Sequence, residues 1–185
     1  FLNEYEGALQ SYQAALRLFW AVGSRQGEAN TRRAIGEVQA SQRDNEGALQ
    51  SYQAALRLFR AVGARRGEAN TLLVIGMVQA SQRDNEAALQ SYQAALALFQ
   101  AVGDRLGEAD TRKARGFLYY DAGSREEGQQ ELAQALDLYA QINDHVGLFQ
   151  VNVGLGVRLC EQEAWQAAEP FMAQAVQLAA ARSDF

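Results

Sequence analysis

GALQSYQAALRLFRAVGARRGEANTLLVIGMVQASQRDNE, residues 47–86, repeats residues 7–46 with changes only at Trp20, Ser24, Gln26, Arg32, Arg33, Ala34 and Glu37. The period is 40 residues. A third copy spans 87–126, and the register runs without gaps to the end, aligning Ala55, Ala95, Ala135 and Ala175, and Gly76, Gly116 and Gly156. A sustained fixed period of this length marks an array of supersecondary units. Because the early copies are nearly identical, recurrence of a residue reflects duplication and does not by itself mark function.

Each period carries two helical patterns. Leu49, Tyr52, Leu56 and Phe59 fall on one face at i, i+3, i+7 and i+10, with Gln50, Gln53, Arg57 and Arg60 opposite. This amphipathic helix starts after Asp44, Asp84 or Ser124, whose side chains can accept from its first free amides, and Ser124 with Glu127 has capping-box spacing. It stops at Gly23, Gly63, Gly103 and Asn143, residues that readily take the left-handed conformation of a helix C-terminus. Ser24, Asp104 and Asp144 then cap a shorter helix running through Ile35, Ile75 or Leu155. Two antiparallel helices per period follow from these short links. One pair cannot hide its own apolar stripes, so successive pairs must stack. The expected fold class is all-α, a right-handed α-solenoid of antiparallel helix pairs with about nine helices.

Composition narrows the function classes. The 185 residues are 48% hydrophobic and 21% charged, with a net charge of -5, which excludes disorder and implies no charge-driven partner. Cys160 is the only cysteine, so neither an intrachain disulfide nor a thiolate metal cluster can form, and a reducing, cytoplasmic location is expected. No apolar run approaches the ~20 residues that span a bilayer.

The spacing of small residue, aromatic, small residue and leucine in Ala8, Tyr12, Ala15, Leu16, again in Ala48, Tyr52, Ala55, Leu56, and in Ala88, Tyr92, Ala95, Leu96, with the mid-helix glycines Gly36 and Gly76, resembles the tetratricopeptide repeat. The long period resembles the Pins and kinesin-light-chain variety and the sensor arms of large bacterial signalling proteins. The resemblance implies a single array over 1–185 that begins inside a repeat and belongs to a larger protein. Phe1 to Tyr5 match the turn between two helices, 4–22 is a second helix without its first-helix partner, and pairs follow at 24–62, 64–102, 104–142 and 144–182. The unpartnered helix offers Leu9, Tyr12 and Leu16 for self-association. Arg115 replaces an apolar core residue and is expected to pair with Glu131 or Asp137, or to snorkel. Pro170 should kink the last helix or delay its start.

In that family the first helix of each pair lines a concave groove. The matching positions are Asn30, Arg33, Ala34 and Glu37; Asn70, Leu73, Val74 and Met77; Asp110, Lys113, Ala114, Phe117 and Tyr120; and Gln150, Val153, Gly154 and Val157. Lys113 is the only lysine among them, which disfavours a clamp for terminal carboxylates. The apolar middle suits a helix or a hydrophobic peptide, although some of these residues can equally be inter-repeat core.

Catalytic chemistry finds little support. His145 reads as a cap-region residue, Cys160 as packing, and Glu126 and Glu127 as first-turn acids favoured by the helix dipole. Gly63 and Gly67 with Arg65 and Arg66 lack the strand and the Gly-Lys-Ser/Thr of a phosphate loop. No metal site or cofactor is expected. A basic track of Arg32, Arg33, Arg65, Arg66, Arg112, Lys113 and Arg115 is interleaved with acids and has no aromatic ladder, so nucleic acid is disfavoured. The reading is a non-catalytic scaffold that binds a protein or peptide in its groove. The alternative is a structural arm that forms homo-oligomers through its terminal helices.

Overall fold

The computed structural model describes residues 2–183, with side chains described from Tyr5 to Ala181. Among the described residues there are nine helices and no strand: α1 (Leu2–Ala21), α2 (Arg25–Ser41), α3 (Asn45–Ala61), α4 (Arg65–Ser81), α5 (Asn85–Val102), α6 (Arg105–Asp121), α7 (Arg125–Gln141), α8 (His145–Glu161) and α9 (Trp165–Ser183). The chain divides into two compact units, Phe1–Gly107 and Glu108–Phe185. In the first, α2 packs on α3 and α4 on α5, with α1 on α2 and α3 on α4; in the second, α7 packs on α8 and α8 on α9.

The links work largely as the residues dictate. Gly23, Gly63, Gly103 and Asn143 all have positive φ. Asp44, Asp84, Asp104 and Asp144 each accept from an amide of the following first turn at 2.9–3.2 Å, and Ser24 does so at 3.3 Å. Two expectations need correction and a third is narrowed. Ser124 makes no side-chain cap bond, and its own amide donates to the Tyr119 carbonyl, so no capping box closes there. Residues Leu2–Tyr5 are helical and not a turn, while Phe1 lies outside the described residues. α9 begins at Trp165, in register with Asn85 and Arg125, and carries Pro170 inside its second turn, so its start is not delayed.

Two glycines in each of α2, α4, α6 and α8 decide the packing. A Cβ on Gly36 or Gly76 would lie 2.5 Å from the ring of Tyr52 or Tyr92, contributed by the helix that follows. Gly27, Gly67, Gly107 and Gly147 sit under Phe19, Phe59, Phe99 and Tyr139, contributed by the helix before. α2 and α4 are therefore gripped by an aromatic ring from both sequence neighbours, whereas in α6 and α8 the following helix presents Leu132 at Gly116 and Met172 at Gly156. The rings of Tyr52, Phe59, Tyr92, Phe99 and Tyr139 are buried, and burial pushes the phenols of Tyr52 and Tyr92 up to about 12. Charging either phenol would require desolvating it, which is the cause of the rise.

Candidate functional site

In the first unit the candidate face lies on α2 and α4, which touch. Asn30, Glu37 and Met77 are exposed, Arg33, Asn70 and Val74 are half-buried, and Ala34 is half-buried beside them. Arg33 pairs with Glu37 one turn away. Leu73 is only 8% exposed, so it serves the core and offers little to a partner. Asn30 and Asn70 open into a cleft of about 620 Å³ whose other walls include Gln26, Val62, Arg66 and Val102. One rim is fixed by Arg66 Nε on Asp104 Oδ2 at 2.6 Å. Gly63 and Gly67 also line this cleft, but their local roles are a left-handed helix stop and a seat for Phe59.

The second unit spends its equivalent side chains on itself. Lys113 Nζ donates to Asp110 Oδ1 at 3.0 Å and to Gln150 Oε1 at 2.7 Å, joining α6 to α8. Tyr139 donates to Asp110 Oδ1 at 2.6 Å, and Lys113 lies 5.4 Å from that ring's centroid. Burial first, then the bond to Asp110, holds the Tyr139 phenol far above its ordinary range. Phe117 packs on Gly154 and lies 4.3 Å under the Arg158 guanidinium, which forks onto Asp121 at 2.6 and 2.7 Å. That hydrogen bond to Asp121 raises the Arg158 pKa further, against the opposing effect of burial. Tyr120 is 4% exposed and belongs to the core. Ala114 and Val153 are half-buried, and Val157 remains open at 43%.

Elsewhere the arginines find acids. Arg32 meets Glu28 at 2.9 Å, Arg112 meets Glu108 at 2.8 Å, and Arg115 pairs with Glu131, one of the two acids its position called for. A run of cations neutralised in this way presents no continuous track to phosphates. On α1, Leu9, Tyr12 and Leu16 are half-buried, whereas Leu18, Trp20 and Val22 are 68–79% exposed. Trp20 stands where the next repeat has Arg60.

His145 is exposed at the start of α8, and Cys160 is a half-buried free thiol. Among the described residues no three His, Cys, Asp or Glu side chains gather as a metal site, and no helix is long and apolar enough to cross a membrane.

Residues 27–101 match the family model described as tetratricopeptide repeat. No curated protein sequence matches. Among solved structures, BtubC (BKLC) from P. vanneervenii superposes with a TM-score of 0.83 at 20% identity, covering 98% of this chain and 76% of that one. A Rap protein complexed with Competence and Sporulation Factor gives 0.84 at 16% identity, covering 97% of this chain but only 50% of the Rap chain. MamA gives 0.66 at 14% identity, covering 99% and 93%. The fold class is the α-solenoid of antiparallel helix pairs.

Proposed function

We propose, since residues 27–101 belong to the tetratricopeptide-repeat family, that this chain is a non-catalytic scaffold holding a protein or peptide on the α2–α4 face. The observation that carries the reading is the open cleft into which Asn30 and Asn70 project, one repeat apart, with exposed Met77 about two turns further along α4. A carboxamide both donates and accepts, as a peptide bond does, so two of them in register can hold an extended backbone while Met77 and Val74 take an apolar side chain. Helices packed on rigid neighbours fix this face before binding, so little ordering entropy opposes a modest contact area. The likeness to a Rap protein seen with Competence and Sporulation Factor is consistent with that reading.

Peptides selected from a displayed random library against the whole chain test it. Binding should fall at least tenfold in Asn30→Ala/Asn70→Ala and in Met77→Asp, and stay unchanged in Val157→Asp. Peptides that bind all variants equally, or a library that yields none, would overturn the reading.

A second reading, self-association through α1, is favoured by the exposed Leu18, Trp20 and Val22. Three large apolar side chains near one helix end form a patch of the kind that contacts proteins. Trp20→Arg, which restores the residue of the next repeat, should convert any concentration-dependent oligomer to monomer in sedimentation without affecting peptide capture.

A further inference from the structure

Side chains from α6, α7, α8 and α9 wall a cavity of about 320 Å³ in the second unit. Leu132, Leu136, Leu155, Leu159 and Phe171 supply most of the lining, Tyr120 closes one side, the exposed Gln129 and Ala133 stand on the part open to solvent, and among the described residues no ionisable acid or base other than that phenol faces it.

Comparison between repeats explains both its presence and its chemistry. In the first unit, Ser51 donates to Gln39 at 2.6 Å and Ser91 to Gln79 at 2.7 Å, a polar pair bridging the two helices of each hairpin. Two periods after Ser91 and Gln79 the same two positions are Phe171 and Leu159. Tyr92 becomes Leu132, Leu89 becomes Gln129, and Ala80 becomes Tyr120, so the large ring now comes from the opposite helix. The exchange moves volume from one side of the hairpin to the other, leaving an apolar space behind.

We infer that this cavity binds a small uncharged apolar molecule, of the size of one aromatic ring bearing a short alkyl group. Apolar cavities of about 150 Å³ stay dry and take up benzene, so twice that volume suits a ring with a substituent. A space of about 320 Å³ is smaller than a single turn of a helix about 10 Å across. The lining offers no opposite charge to pair with an ion, which would lose water on entering. The cavity is separate from the α2–α4 face and does not depend on the function proposed for it.

Titration of the whole chain with toluene, followed by carbon-13 methyl NMR, tests the inference. Saturable shifts should appear at Leu132, Leu136, Leu155 and Leu159 and be absent at Leu56, Leu72 and Leu96 of the first unit. At tenfold excess over Kd the melting temperature should rise by about 3 °C. Leu159→Gln/Phe171→Ser, which restores the polar pair of the first unit, should weaken toluene at least tenfold. Should that variant fail to fold, Leu136→Phe must do the same by filling the space. Absence of saturable shifts in the folded wild-type chain, shifts spread over both units, or undiminished binding in the folded variants would overturn the site.

Discussion

The hairpins α4–α5 and α6–α7 occupy equivalent stretches of the repeat and solve the same packing problem with opposite chemistry. In α4 the residues facing the partner helix are Leu72 and Ile75, each 7% exposed, and the neighbouring position on α5 is Ser91. In α6 the same places hold Arg112 and Arg115, and α7 answers with Glu131, which pairs with both while Glu108 also holds Arg112. These side chains are only 12–17% exposed. A hairpin thus accepts an oily or an ionic filling, provided the change on one helix is matched on the other. The ionic version is the more fragile, because losing one member strands charges that water no longer reaches.

The sharpest way to break the comparison is Glu131→Ala. It should cost about 3 kcal/mol in urea denaturation, while Ser91→Ala at the equivalent site costs well under that. Converting all three residues to the α4–α5 pattern (Arg112→Leu, Arg115→Ile, Glu131→Ser) should recover the loss.

Next comes Gly128→Ala, expected to destabilise by about 2 kcal/mol although Ala48 and Ala88 stand there in the first unit. A Cβ on Gly128 would lie 2.8 Å from the Gly116 carbonyl oxygen and 2.9 Å from the Tyr120 amide nitrogen, backbone atoms that cannot turn aside. Thermal melts read the difference.

Asn152→Leu should stabilise by about 1 kcal/mol, measured the same way. Asn152 is fully buried, its Oδ1 has no hydrogen-bond partner, and Leu72 fills the equivalent place.

The smallest effect is Arg83→Gly, a gain of about 0.5 kcal/mol in denaturant midpoint analysis. Arg83 is held at φ 64°, where Gly123 sits one repeat later at φ 92°.

The period, the helix pairs and the left-handed stops at Gly63 and Asn143 were legible because they rest on local rules of hydrophobic spacing and backbone sterics. The need of Arg115 for an acid was legible for a different reason: a cation in an otherwise apolar place must pair or snorkel, which left Glu131 and Asp137 as alternatives, and the fold brings up Glu131. Less could be read where tertiary packing overrides local preference. Nothing about Arg43, Arg83 or Glu163 announces positive φ; the short link between the two helices of a hairpin imposes it. Leu73 and Tyr120 matched a groove pattern yet are buried, since periodicity identifies a face of a helix but not which neighbour covers it. Gly27, Gly67, Gly107 and Gly147 were invisible as seats because the rings they receive belong to a separate helix.

Those paired seats bear on how the chain assembles. A glycine inside a helix lowers its intrinsic propensity by about 1 kcal/mol, so α2, α4, α6 and α8 are each poor helices in isolation. They gain order when an aromatic ring arrives from upstream and a second side chain, Tyr52, Tyr92, Leu132 or Met172, from downstream. Cooperativity is thereby written within hairpins, through Tyr52 and Tyr92, and across them, through Phe19 and Phe59, so fraying of one should loosen the grip on the next.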